Sequence, residues 1–395
     1  MSLDEKIGQL FVVPAHGDVV RHVRDNHAGG VIWFQSTTVE VAKMNAHLQS
    51  LAKTPLLISA DLEAGMGMRF TDATWWPSAM AIAATGDPSF AEEEGRVTAR
   101  EALAVGINHI LAPVADVNVD PQNPVINTRS FGEDPHQVAR FVAAYVRGIE
   151  RGGCLSTAKH FPGHGDTHID SHRALPTLDV TRERLEAVEL VPFRAAIRAG
   201  VSSVMMGHLA VPALDDTPAP VRAEFENVYG TRRGEVTRGG TLPATVSPRI
   251  IAMLRREFDG LIVTDSFDMG GLAAHFDAGE AAVRAIEAGE DQILFSTDTD
   301  AAIAAVVRAV RQGRLTEARI DESVERILHA KRSRSAAAMP PHSIHSGGMA
   351  AALLNAQRAI TLVRDARGLL PARNYKVVVV TDLVEGNPLT ELQPD

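Results

Sequence analysis

The feature that most constrains this chain is an alternation that runs through its first 330 residues. Short apolar runs occupy residues 10–13, 30–34, 56–60, 107–112, 155–159, 203–207, 261–264 and 292–295, with helical patterns between them. A continuous apolar run of this length reads as a strand buried on both faces, and a helix between successive strands makes them parallel. Eight such units imply an α/β chain whose strands close into a (β/α)8 TIM barrel over residues 1–332. A chain of 395 residues exceeds one ordinary domain unless most of it is a barrel, and 45% hydrophobic content can fill so large a core.

Punctuation supports the helices. Asp87-Pro88, Asp134-Pro135 and Ser247-Pro248 each place a capping residue before proline at the first helical position. The helix from Pro88 is expected to stop before Gly106, and Thr181 to open a long helix. After Pro248, Ile250, Ile251, Leu254 and Phe258 form an apolar stripe that reads as core packing. A helix from Asp321 is expected to end near Lys331. Residues 333–348, rich in Ser, Ala, Pro, His and Gly, read as a linker. Beyond it, 350–361 looks helical and 377–380 like a strand, so residues 349–395 read as a short partial α/β C-terminal segment. One parallel strand cannot make a sheet, which leaves a second domain that is either cut short or vestigial.

Charge and cysteine usage exclude several classes. A formal net charge of -10 argues against nucleic acid and against an anionic membrane surface. The single cysteine, Cys154, cannot form an internal disulfide and lies in a strand-like run, as a buried thiol would. The N-terminus lacks an apolar signal core and no apolar run reaches membrane-spanning length, so a cytoplasmic location is expected.

Chemistry concentrates in residues 159–178, KHFPGHGDTHIDSHRALPTL, which follow the fifth apolar run. His160, His164, His168 and His172 recur every fourth residue, but Pro162, Gly163 and Gly165 break the helix that would align them. No metal site is therefore expected. Asp170-Ser171-His172 is the sharper feature, because a carboxylate two residues from an imidazole can orient it and raise its basicity. Taken alone, such a triplet also fits a solvated loop.

The triplet does not stand alone. KHFPGHGDT followed by DSH resembles the signature of family 3 glycoside hydrolases, in particular the β-N-acetylglucosaminidase branch. Asp61-Leu62-Glu63-Ala64-Gly65 with Arg69-Phe70 resembles that branch's D-x-E-G-G…R-F motif, departing from it at Ala64. Pro113 to Asn118 and Arg129 to Pro135 resemble its APV-x-DVN and RSFGEDP motifs. Val263-Thr264-Asp265, with Met269 beyond, resembles the run that carries the family's nucleophile.

The resemblance implies a retaining exo-β-N-acetylglucosaminidase acting on cell-wall fragments. Asp265 is the expected nucleophile, with Asp268 nearby as its rival, and His172 with Asp170 the expected acid/base dyad. Asp61, Arg69, Arg129, Lys159 and His160 are expected to bind the terminal sugar, and Asp116 to support them from behind. Glu133 and Asp134 are explained by a helix N-terminus. His208 is a candidate for the rim, and Asp166 and His164 are fallback proton donors. No cofactor is expected. A small N-acetylglucosaminide is the expected partner, with phosphate an alternative acceptor, because a neutral imidazole base would not repel it. A β-glucosidase and an inactive sugar-binding protein remain alternatives. Trp75-Trp76 is expected to pack in the core rather than stack on a sugar, and residues 215–243 to form a surface loop or flap.

Overall fold

A computed structural model describes residues 1–222, 240–333 and 348–361. Among them, eight parallel strands close into a barrel in sequence order: β1 (Phe11–Pro14), β2 (Gly30–Trp33), β3 (Leu57–Ala60), β4 (His109–Ile110), β5 (Leu155–Phe161), β6 (Ser203–Met206), β7 (Leu261–Ser266) and β8 (Gln292–Leu294). Each apolar run of the sequence holds one strand. β4 is shorter than its run because Pro113 has no N–H to give the ladder, although the Ala112 and Pro113 carbonyls still accept from the Thr157 and Lys159 amides and the Ala115 amide donates to the Lys159 carbonyl. β5 runs two residues past Lys159, and β7 reaches Ser266.

The register fixes which side chains point inward. Paired residues of a parallel sheet share a face, and the pairs link Leu294, Val12, Gly30 and Leu57. On the same phase, Ser59 pairs with His109, His109 with Leu155, Thr157 with Ser203, and Met205 with Val263. The opposite phase, including Ile58, Ile110, Ala158, Val204 and Ile262, packs in one core cluster with helical Phe141, Val142 and Ile149. The inner phase is not wholly apolar. His109 Nε2 lies 2.9 Å from both Thr157 Oγ1 and Ser203 Oγ, and burial pushes this imidazole down to about 4, so it is neutral.

The helices follow most of their punctuation. Asp134 and Ser247 cap the helices Pro135–Gly152 and Pro248–Arg255, each with proline in the first turn. Asp87 sits one residue outside its expected place: Pro88 is the cap of Ser89–Ala104, and the Asp87 carboxylate accepts from the Ser89 amide instead. Thr181 does cap a helix, but the expected long helix is two, Arg182–Ala187 and Leu190–Arg198. Pro192 cannot donate to the Val188 carbonyl, which breaks the ladder there. The helix expected from Asp321 begins earlier, at Glu317.

The expected linker and C-terminal segment lie largely outside the described residues. The helix Gly348–Ala359 is described, and its Ala352 packs on Trp76 and Val97. Trp76 is 1% exposed, as core packing requires, whereas Trp75 is 49% exposed on the surface. Cys154 is buried. Of the 215–243 excursion, residues 223–239 lie outside the described residues; its two ends meet in an antiparallel bridge between Pro218 and Thr241.

Candidate active site

The inward phase of the strands, continued past the C-terminal end of β3, carries Asp61, Lys159 two residues before the end of β5 and Asp265 near the end of β7. They rise around a cavity of about 140 Å³. Ile32, Leu111, Met205 and Leu294, inward residues of the barrel, close its floor. Such a dead end accepts one small ring rather than a chain threaded through it. Glu63, Arg69, Arg129, His160, His172 and Asp268 also line it, with Phe34 and Phe295 on its wall.

Five of the lining residues form an alternating chain of charges. Arg69 Nη2 lies 3.0 Å from Asp61 Oδ2, and Lys159 Nζ lies 2.8 Å from Asp61 Oδ1. The same ammonium is 2.7 Å from Glu63, whose two oxygens each accept from the Arg129 guanidinium at 2.8 Å. Burial would raise both carboxyls, but the cations outweigh it: Asp61 is held below its ordinary value and Glu63 well below. Burial likewise opposes the Lys159 charge, and Asp61 and Glu63 raise its pKa in spite of that. Three cations against two carboxylates leave a rigid wall of directed donors and acceptors, the type of surface that reads sugar hydroxyls. Arg69 also lies over the Phe34 ring, 5.9 Å from its centroid.

His160 is set from behind. Asp116 is fully buried and accepts from His160 Nδ1 at 2.8 Å and from the His160 and His164 amides at 3.2 and 2.7 Å. This fixes the proton on Nδ1. The Asp170-His172 pair is formed as the triplet suggested, with His172 Nδ1 2.7 Å from Asp170 Oδ1 and the His172 amide on the same oxygen at 2.9 Å. Burial pushes the Asp170 carboxyl up, but its hydrogen bond to His172 and the charge there hold it below the ordinary value.

The two carboxyls off β7 are separated electrostatically. Burial raises Asp265, yet His160, His208, His172 and the Ser266 amide, which donates to it at 2.8 Å, leave it below its ordinary value. Asp268 is pushed up by burial even though the Ser266 hydroxyl donates to it at 2.7 Å. Asp265 is therefore the better anion of the two.

Several expectations need correction. His208 is not on the rim: it is fully buried, its Nε2 2.8 Å from the Ser266 carbonyl and its Nδ1 2.8 Å from the Thr245 hydroxyl. The fallback donors also stand away from the cavity. His164 is bonded to Thr167 and Ser171 and lowered to about 4 by burial, and Asp166 faces Arg184 at 3.3 Å. Of the four histidines, His160 and His164 meet edge to face with ring centroids 6.0 Å apart, while His168 points out to Asp120 on an exposed side chain. Among the described residues no three His, Cys, Asp or Glu converge as metal ligands would. Sequence reasoning assigned no role to Glu63, which ties Lys159 to Arg129. Its position two residues after Asp61, on the same inward phase, was the available signal.

The chain is similar to known proteins in sequence and in fold. Residues 2–330 match the glycosyl hydrolase family 3 N terminal domain. A β-N-acetylglucosaminidase/β-glucosidase of Cellulomonas fimi is 36% identical over 98% of this chain and 69% of its own length. The structure of a family 3 β-N-acetylglucosaminidase from Paenibacillus sp. str. FPU-7 superposes with a TM-score of 0.82 at 38% identity, covering 92% of this chain and 70% of that one. A β-glucoside phosphorylase, BglX, superposes with a TM-score of 0.83 at 31% identity over 94% of this chain and 67% of its own. The chain thus spans about two thirds of the length of these relatives. A closed eight-stranded barrel, a match across almost the whole of it and relatives above 30% identity together establish that the chain belongs to glycosyl hydrolase family 3 and is a glycoside hydrolase.

Proposed function

We propose that this chain is a retaining exo-β-N-acetylglucosaminidase that releases a terminal β-linked N-acetylhexosamine. The observation that carries this reading is the meeting of three things in one dead-end cavity: the Asp265 carboxylate, the His172–Asp170 dyad and the Asp61–Arg129 charge chain. Asp61, Arg69, Arg129, Lys159 and His160 hold the hydroxyls of the terminal sugar. Asp265 attacks the anomeric carbon while His172 protonates the departing glycosidic oxygen, leaving a covalent glycosyl-enzyme. His172, now basic, takes a proton from water, which opens the intermediate with net retention. An oriented imidazole can take both roles because the same ring nitrogen can give a proton and later take one back. The preference for an N-acetyl sugar draws its support from the Cellulomonas and Paenibacillus relatives, which are named for it. The natural substrates on this reading are cell-wall fragments met in the cytoplasm.

The test is turnover of nitrophenyl N-acetyl-β-glucosaminide and nitrophenyl β-glucoside, each with and without phosphate, with the first-formed anomer read by proton NMR. Faster release of β-N-acetylglucosamine, indifferent to phosphate, is expected. A first-formed α-anomer, or no turnover by a folded protein, overturns the mechanism. A preference for the glucoside would favour the second sugar for which the Cellulomonas relative is named.

A further inference from the structure

The dyad is useful only if its loop holds His172 over Asp265, and the triplet's middle residue makes contacts that none of the roles above explain. Ser171 is 1% exposed. Its hydroxyl lies 2.9 Å from His164 Nε2, and its carbonyl accepts from the Gly271 amide at 2.9 Å. The next carbonyl, that of His172, accepts from the Gly270 amide at 2.7 Å.

The protons on this clasp can be assigned. The Thr167 hydroxyl donates to the His164 carbonyl at 3.0 Å, so it accepts from His164 Nδ1, 2.7 Å away. That leaves Nε2 with a lone pair, which the Ser171 hydroxyl fills. His164 is itself anchored by its amide to Asp116, the carboxylate that sets His160. On the other side, the glycines stand directly after Met269 and open the short helix Gly270–Ala273 that follows β7 and Asp265. Their lack of side chains is a close-approach requirement: a Cβ on Gly270 would lie 2.2 Å from the Arg173 carbonyl oxygen and 2.9 Å from that of His172.

We propose that Ser171, held by His164 and by the Gly270-Gly271 amides, is a positioning residue that locks the acid/base loop to the nucleophile's loop and so fixes His172 relative to Asp265. This rests on the reading of His172 as the acid/base. The geometry makes a specific demand. Loosening the latch displaces the proton donor without touching Asp265 or the sugar-binding chain of charges, so the loss must grow as the leaving group becomes a poorer one.

The experiment compares kcat/KM, which reports only the step that forms the glycosyl-enzyme, for Gly270→Ala, Ser171→Ala, His172→Ala and the parent protein on dinitrophenyl and on phenyl N-acetyl-β-glucosaminide. General-acid assistance contributes roughly 100- to 10,000-fold to such steps. His172→Ala should lose most of that factor on the phenyl glycoside and little on the dinitrophenyl one. Gly270→Ala should lose about 100-fold on the phenyl glycoside and only a few-fold on the dinitrophenyl one, and Ser171→Ala about tenfold and less than twofold, as fractions of the same factor. Inhibition by free N-acetylglucosamine should shift by less than about threefold in both latch variants, because uniform sugar binding is untouched. Ser171→Ala adds no bulk and serves if Gly270→Ala does not fold. Equal losses on both substrates, or none, in the latch variants overturn the latch when His172→Ala shows the selective loss. If His172→Ala shows no selectivity either, the acid/base reading itself fails and the latch with it.

Discussion

Glu63 gives the most searching test of the charge chain. Glu63→Gln keeps the shape of a buried side chain but removes the anion between Lys159 and Arg129. The guanidinium loses a two-pronged partner with both contacts at 2.8 Å, and the ammonium loses one at 2.7 Å. Asp61 is then the only carboxylate left in the chain, against three cations. Leaving a buried ion without its partner costs about 3–5 kcal/mol, and the retained amide oxygen can recover part of that from one donor. A loss of about 2–4 kcal/mol in urea unfolding is therefore expected at pH 7.

The pH dependence gives a second reading of the same pair. The Glu63 carboxyl is held well below its ordinary 4.5, so its contribution is complete above that value and disappears as pH falls through the lower folded pKa. The stability difference between parent and variant should be widest near neutrality and should narrow below about pH 4.5. In kinetics, KM should rise more than kcat falls, because the sugar-holding cations move while Asp265 and His172 stay. A cycle of Glu63→Gln and Arg129→Ala should show a coupling of about 1–3 kcal/mol. Additive losses, or an unchanged unfolding midpoint, would refute the argument that these charges act as one unit.

Other perturbations separate the remaining roles. Asp265→Ala should cost several orders of magnitude in kcat with little change in unfolding, whereas Asp268→Asn should keep measurable turnover; the reverse order in a chromogenic assay would exchange their roles. His172→Ala on a nitrophenyl substrate should accumulate a glycosyl-enzyme visible by intact mass, and azide should restore turnover because an anion needs no base; Asp170→Ala should show a milder form. Asp116→Asn should lower activity by weakening the hold on His160 and destabilise by about 1–3 kcal/mol, since one buried carboxylate there satisfies three donors. Ending the chain at residue 333 should red-shift tryptophan fluorescence as Trp76 loses its cover, while the chemistry persists; lost turnover in a folded protein would place part of the site beyond that point.

Much of this protein is determined by local sequence. Strand positions follow from apolar runs bounded by turn formers, and barrel closure from their number and order. Asp61, Lys159 and Asp265 could be placed at the barrel mouth because each ends an apolar run, and a two-residue period carries the inward face to them. Asp170 and His172 needed no tertiary information to be paired, since two residues of loop suffice to bring them together. The limits of local reasoning appear wherever a partner comes from a distant strand. Glu63 sits beside Arg129 and Lys159 only because β3, β4 and β5 are neighbours in the barrel. His208 looked like a rim residue because its strand ends there, but Thr245 and the Ser266 carbonyl, both distant in sequence, hold it fully buried. Gly270 and Gly271 are unremarkable in the sequence. Their amides reach Ser171 and His172 only when the barrel brings the loops after β5 and β7 to the same side of its mouth. A carboxylate's identity as an ion was also decided there: Asp265 and Asp268 are alike as residues and burial raises both, but the histidines and the Ser266 amide around Asp265 outweigh it there.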